Sequence, residues 1–343
     1  DNGIKIFSHE GLKLPDEKEL EIEKLIFSNK MHMLHPSHNE LGKASRIDDA
    51  RGRYIVFLKN SFPKEHTLEG TKVVLDCSHG ATYRVAPDTF FELGANVTSL
   101  FDEPNGENIN AQCGSQHPET LAEEVIKTKA DVGFAFDGDG DRCIAVDEKG
   151  VVLTGDQIMA ICAKEMKKEG TLNNNLVVCT VMSNIGFGIA LKELGIEQEA
   201  TKVGDRYVLE EMQAKGSVIG GEESGHIIFL DHHTTGDGII TALQVLAAMK
   251  KAQKPLSELA QVMKVFPQKL INVDVESKPE LSTIPEITQA IKVVEAQLGD
   301  KGRVLVRYSG TQNMCRVMIE GPTNEETEKY CRQIVDVIRK KLC

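Results

Sequence analysis

Several absences bound this 343-residue chain before any motif is read. No apolar stretch approaches the roughly 18 residues that a membrane-crossing helix needs, and no secretory leader pattern stands at its start. Nothing in the pattern therefore anchors or exports the chain. None of its eight cysteines pairs with another at C-x-x-C spacing, and several fall in strand-like or helical runs, so they read as reduced, mostly buried thiols of a cytoplasmic protein. An excess of positive charge is missing too. The formal net charge of −12 excludes a general affinity for nucleic acid or an anionic membrane, and any anionic ligand must be met by basic residues concentrated locally. There is no low-complexity segment and no Walker A pattern, so a nucleotide is not the expected phosphate donor. An initiator methionine is also lacking. The chain opens at Asp1 within a strand-like pattern and reads as a cut start.

What is present is globular: 41% hydrophobic and 27% charged residues, over a length that predicts two to four domains. Strand and helix patterns alternate through most of the chain, which predicts α/β layering with largely parallel sheets. After Pro267 the order changes to strand, helix, two strands and a last helix from about Asn324 to Lys341, capped by Thr323 with Glu326 three residues on. We expect four parts: 1–57, the remnant of a first α/β domain; 58–155 and 156–264, two α/β domains; and 265–343, an α+β domain.

The most informative stretch is Asp137-Gly138-Asp139-Gly140-Asp141-Arg142, which directly follows the apolar run Val132 to Phe136. Three carboxylates this close repel one another and resist desolvation, and a hard divalent cation removes both problems. One Mg²⁺ is the expected occupant. The alternate spacing sends the three side chains the same way, and Arg142 adds a donor fork suited to phosphate. A calcium loop of the EF-hand type matches in part, but Arg142 stands where that loop needs glycine, and the flank is strand-like.

Two further strand-to-loop transitions carry more polar groups than a turn requires. In Gly220-Gly221-Glu222-Glu223-Ser224-Gly225-His226, alternate spacing in an extended loop puts Glu222, Ser224 and His226 on one side, a set suited to sugar hydroxyls. A plain hairpin turn is the competing reading. In Arg307-Tyr308-Ser309-Gly310-Thr311, a guanidinium, two hydroxyls and backbone donors, with Arg316 on the next strand, have the composition of a phosphate cradle. Gly204, Asp205 and Arg206 form a weaker polar candidate. His32, His35 and His38 recur at three-residue intervals, but Pro36 breaks a shared helical face. A cation site, a polyol reader and a phosphate cradle together point to phosphoryl transfer on a sugar phosphate.

In their order and combination these motifs resemble the α-D-phosphohexomutase family, and most closely its bacterial phosphoglucosamine mutase branch. The matching stretches are Asp1 to Lys5, Gly52-Arg53-Tyr54, Asn108 to Asn110 with Cys113 to Ser115, the aspartate loop, Lys202 to Tyr207, the G-E-x-S-G-H loop, Thr234 to Gly238 and the R-x-S-G-T loop. The resemblance implies four domains around a central cleft. It implies interconversion of glucosamine 6-phosphate and glucosamine 1-phosphate through a glucosamine 1,6-bisphosphate-type intermediate and activator, feeding amino-sugar precursor synthesis. Asp137, Asp139 and Asp141 would hold the Mg²⁺, Arg142 would meet the phosphoryl group in transit, Lys5 would be a general base, and His226 would transfer a proton on the other side. Glu222 and Ser224 would read the sugar, with Gly204, Asp205 and Arg206 beside it, while Arg307, Ser309, Gly310, Thr311 and Arg316 would grip the phosphate that is not reacting. A phosphosugar is the implied partner, with no nucleic acid and no membrane, and a homodimer is left open.

The chain departs from the family twice. The phosphorylated serine of the family stands upstream of the D-N-G-x-K stretch, and no residue here matches it; Pro36-Ser37-His38-Asn39 mimics its loop in the wrong place, so Ser37 receives no role. The 343 residues alone are therefore expected to be inactive. Gln312-Asn313 also replaces the Glu-Pro pair usual in the branch. Two rival functions follow: a phosphomannomutase or phosphoglucomutase of the same family, and a truncated, non-catalytic sugar-phosphate-binding protein.

Overall fold

The computed structural model describes residues 6–9, 11–28, 30, 35–43, 45–309 and 312–343. The chain divides into two compact units, one of residues 1–182 and 196–262, the other of residues 183–195 and 263–343.

The first unit begins with α1 (Asp16–Phe27) and α2 (Ala50–Asn60) and then builds two sheets. β1 (Lys72–Asp76), α3 (Val85–Glu92), β2 (Asn96–Leu100), α4 (Glu119–Thr128), β3 (Val132–Phe136), β4 (Cys143–Asp147) and β5 (Val152–Leu153) form a sheet of order β2-β1-β3-β4-β5. Side chains alternate across a strand, so Val74, Ala135 and Val146 pack with Leu121 and Val125 of α4, while Phe134, one residue over, meets Phe90 of α3 at 6.1 Å between ring centres. The two helices thus cover opposite faces. After α5 (Gly155–Glu169) come β6 (Leu176–Thr180), α6 (Ile185–Glu193, which belongs to the second unit), β7 (Glu197–Thr201), α7 (Asp205–Lys215), β8 (Ile219–Gly221) and β9 (Ile227–Phe229). The second sheet has the order β7-β6-β8-β9 and packs Leu176, Val178 and Ile228 against Val208, Leu209 and Met212 of α7. Then α8 (Gly238–Ala252), apolar nearly all round and buried for most of its length, packs on both sheets before the short α9 (Leu256–Leu259).

The sheets are less parallel than the alternating pattern predicts. β1 pairs in parallel with β2 and β3, and β6 with β7 and β8, but β3–β4, β4–β5 and β8–β9 are antiparallel. The reason is chain length: a parallel return needs a crossover of about a dozen residues or more, and the loops after β3 and β8 are far shorter. The aspartate loop and residues 222–226 therefore lie in hairpins.

The second unit holds an antiparallel sheet of β10 (Gln268–Asp274), β11 (Arg303–Tyr308) and β12 (Met314–Glu320) in the order β10-β12-β11, with α10 (Pro285–Leu298) and α11 (Asn324–Leu342). Cys315, Val317 and Ile319 alternate inward onto Ile287, Val294, Ile334 and Ile338, and the Thr323 hydroxyl accepts from Glu326 N–H (3.2 Å) at the start of α11, as expected. Residues 183–195 join this unit through Asn184, whose Oδ1 accepts from Gly186 and Phe266 N–H (3.0 Å each), and through Ile185 N–H, which donates to the buried Glu320 (3.0 Å). All eight cysteines are free thiols and seven are buried. Among the described residues no helix is long and apolar enough to cross a membrane.

Candidate functional site

β3 is buried at every position and ends at Phe136, so Asp137 emerges directly from the core. Its carboxylate accepts from Arg142 N–H (3.0 Å) and its carbonyl from Gly140 N–H (3.2 Å), which folds the loop back on itself with Gly140 in the left-handed region at φ +79. The result is convergence: one carboxylate oxygen from each of Asp137, Asp139 and Asp141 lies within 4.8 Å of the others. Burial, and then the Asp141 charge, push the Asp137 carboxyl up to about 7. Acid-only donors this close, one of them driven toward its protonated form, fit a hard divalent cation.

The hairpin between β8 and β9 abuts this loop. Arg142 and His226 form a backbone bridge, Cys143 N–H donates to Gly225 O (3.0 Å), and Gly238 N–H donates to Gly140 O (2.9 Å). Glu222 N–H donates to His226 O (2.9 Å) and Gly225 N–H to Glu222 O (3.0 Å), so residues 222–226 are a tight turn and not the extended loop expected from their spacing. Pairing of Gly221 with Ile227 closes the hairpin and overrides the alternation. Glu222 and His226 stand across the hairpin from each other, and Ser224 is at its exposed tip.

His226 is 3% exposed. Its Nε2 lies 3.7 Å from Asp141 Oδ2 and 3.6 Å from Asp205 Oδ2, and neither ring nitrogen has a hydrogen-bond partner among the described residues. Burial lowers its pKa, against the pull of the Asp141, Asp205 and Glu222 charges. The imidazole is thus held neutral between carboxylates. Gly236 lies flat against it, where a β-carbon would come within 2.5 to 2.8 Å of the ring. Arg142 Nε is buried, again without a partner among the described residues.

The Gly204 to Arg206 stretch joins the hairpin. Gly204 N–H donates to Glu222 Oε1 (3.0 Å), and Asp205 is ion-paired with Lys13, which lowers its pKa against the effect of burial. Arg206 is engaged by Asp16 and, at 2.6 Å, by Glu19 of α1, so its donors face protein carboxylates here. Lys13 and α1 carried no sequence signal that linked them to these residues, because the pairing spans nearly two hundred positions.

In the second unit Arg307 and Arg316 are direct partners across β11 and β12, so their side chains share a face. Like charges set opposite each other are unfavourable, and a shared anion removes the penalty. Desolvation and then the Arg316 charge lower the Arg307 pKa, and Arg316 Nε is buried without a partner among the described residues. Ser309 is buried, its hydroxyl accepts from Gln312 N–H (3.3 Å), and Lys278 Nζ donates to its carbonyl (2.8 Å). Lys278 is a further cation at this loop that no motif announced. Lys5, Gly310, Thr311 and His32 lie outside the described residues.

The chain belongs to the phosphoglucomutase/phosphomannomutase family: residues 52–150 match its α/β/α domain II, residues 154–266 its α/β/α domain III and residues 270–337 its C-terminal domain. Within the family it is 72% identical over 342 residues to a phosphoglucosamine mutase of Syntrophus aciditrophicus, an alignment covering 100% of this chain and 76% of that one. It is 62% identical over 339 residues to a phosphoglucosamine mutase of Syntrophobacter fumaroxidans, covering 99% and 76%. The fold matches a phosphoglucomutase/phosphomannomutase family protein of Burkholderia thailandensis at a TM-score of 0.74 and 19% identity, over 95% of this chain and 70% of that one. It also matches an Aspergillus fumigatus N-acetylphosphoglucosamine mutase, solved with GlcNAc-6P and magnesium, at 0.70 and 19%, over 87% and 67%.

Proposed function

We propose that this chain carries the working parts of a phosphoglucosamine mutase, which interconverts glucosamine 6-phosphate and glucosamine 1-phosphate through a bisphosphorylated sugar. The observation that carries the reading is the convergence of Asp137, Asp139 and Asp141 beside a hairpin whose His226 shares backbone pairing with Arg142. The identity to named phosphoglucosamine mutases favours the amino sugar over glucose or mannose.

Asp137, Asp139 and Asp141 hold one Mg²⁺, which when bound neutralises charge on the phosphoryl group. Arg142 offers that group its Nε, which has no partner among the described residues. His226, its pKa lowered by burial and neither ring nitrogen hydrogen-bonded among the described residues, accepts or returns the proton of a sugar hydroxyl, with Lys5 as the base on the other side. Glu222 and Ser224 bond to the sugar hydroxyls, with Gly204, Asp205 and Arg206 alongside; for Arg206 to serve, it must leave Asp16 and Glu19. Arg307, Ser309, Gly310, Thr311 and Arg316 bind the phosphate that is not reacting. The bisphosphate is the activator. Residues 58–155, 156–264 and 265–343 are taken as three successive domains, with 1–57 ahead of them.

The family's phosphoserine has no match in these 343 residues, so the test uses a polypeptide that carries that loop. Turnover of glucosamine, glucose and mannose phosphates is compared, with and without Asp139→Ala. Preference for the amino sugar, lost with the substitution, is expected; equal turnover of all three, or an active variant, would overturn the assignment.

A further inference from the structure

The end of β1 carries a turn to which no role above is given. Ser78 and His79 are consecutive non-glycine residues in the left-handed region, at φ 52 and φ 49, a conformation that L side chains adopt only when the surroundings hold them there. Asp76 is one of the groups that hold it. Its carboxylate is 0% exposed, with Oδ1 accepting from Ser78 N–H and Oδ2 from Gly114 N–H, each at 2.8 Å. Burial pushes the carboxyl up to about 6 although both N–H groups pull it down. Ser78 O in turn accepts from Asn110 N–H (2.9 Å), and His79 N–H donates to Phe101 O (2.6 Å).

This turn bears on the aspartate loop. Ala81 N–H donates to Gly138 O (2.9 Å), the carbonyl between Asp137 and Asp139. Gly80 lies so close that an added β-carbon would overlap the same carbonyl. Around it, a β-carbon on Gly138 would come within 2.6 Å of Asn110 Nδ2, one on Gly140 within 2.7 Å of Thr82 Cγ2, and one on Gly114 within 2.7 Å of Ser78 Cβ. The loop thus rests on residues 80–82 and 110, and Asp76 ties the segments that carry them.

We infer that Asp76 is a positioning residue for the cation site, its two hydrogen bonds fixing the Ser78–His79 turn that sets the height of Gly138 and so the approach of Asp137 to Asp139. The inference rests on the reading of the three aspartates as a cation site. Asn cannot replace Asp here, because one acceptor becomes an amide donor facing a buried N–H.

The test is Mn²⁺ binding followed by electron paramagnetic resonance, with thermal melts alongside, on the full chain carrying Asp76→Asn, Gly80→Ala, Asp139→Ala or Val74→Ala. Asp76→Asn and Gly80→Ala should each weaken Mn²⁺ by about tenfold or more, as loss of a group that orients ligands does. Val74→Ala, a core change on the same strand, should lower the melting temperature and leave Mn²⁺ affinity as in the wild type. In turnover assays, run in a polypeptide carrying the serine loop, the Asp76→Asn defect should be recovered by raising the metal concentration. If Asp76→Asn binds Mn²⁺ as the wild type does, or weakens it no more than Val74→Ala at an equal melting temperature, the inference is overturned. If Asp76→Asn does not fold, Gly80→Ala decides, since it presses on the loop without touching Asp76. Unchanged Mn²⁺ binding in Asp139→Ala would instead remove the cation-site reading, and the inference with it.

Discussion

Asp137 and the arginine pair show opposite ways of storing charge that a ligand can relieve. Burial and the neighbouring Asp141 raise the Asp137 carboxyl from an ordinary 3.8 to about 7. The folded chain therefore holds a proton that the unfolded chain gives up above about pH 4, so the stability this group contributes is full below that pH and lost as pH rises through about 7. Asp137→Asn removes that dependence. In the presence of a chelator, the melting temperature of the variant should gain on the wild type between pH 5 and 8; a constant difference across that range would refute the shift. Cation binding runs the other way, weakening below about pH 7 as the carboxyl protonates. Arg307, facing Arg316, should be replaceable by alanine without lowering the melting temperature of the ligand-free protein, because a like-charge contact disappears. The same change should raise KM for both phosphosugar isomers by roughly ten- to a hundredfold, the worth of a charge-assisted bond. Steady-state kinetics in both directions, in a polypeptide carrying the serine loop, checks this; an unchanged KM would remove the phosphate-cradle assignment.

At the scale of elements, α8 shows how a helix end joins the loops to the core. Asp237 is buried at its N-cap, where Oδ1 accepts from Ile239 and Ile240 N–H (3.0 Å each) and Oδ2 from the Tyr54 hydroxyl of α2. Gly238, the first residue of the helix, donates to the aspartate loop at Gly140 O. Tyr54→Phe deletes only the hydroxyl and should cost about 1.5 to 3 kcal/mol, the range for a hydrogen bond to a charged acceptor. Urea unfolding of the wild type and the variant measures it, and a difference below a few tenths would show that Asp237 needs no third donor.

Over the whole molecule, the second unit is assembled from two separate stretches of chain, and Glu320 joins them. It is fully buried on β12, accepts from Arg303 Nε and Ile185 N–H (3.0 Å each), and Arg303 also donates to Ser183 O (2.8 Å). Glu320→Ala leaves the Arg303 guanidinium without its buried partner and should destabilise this unit by about 3 kcal/mol. Hydrogen exchange should show protection falling in residues 183–195 and 303–320 together. Loss confined to β12 would mean that the carboxylate does not join the two stretches.

Local chemistry was legible along the chain wherever it acts over a few residues. The convergence of Asp137, Asp139 and Asp141, the cap that Thr323 gives its helix and the face that Arg316 takes in β12 were legible, because each depends on spacing within one element. Tertiary structure decided the rest. The turn at 222–226 follows from Gly221 pairing with Ile227, the antiparallel return of β4 from the shortness of the aspartate loop, and the links of Asp76 to Gly114, Lys13 to Asp205 and Glu320 to Ile185 from contacts between residues far apart in sequence. Such links leave no periodic trace. A buried carboxylate looks the same in the chain whether it meets a cation, an arginine or two backbone N–H groups, and only the packing of the segments around it selects among them.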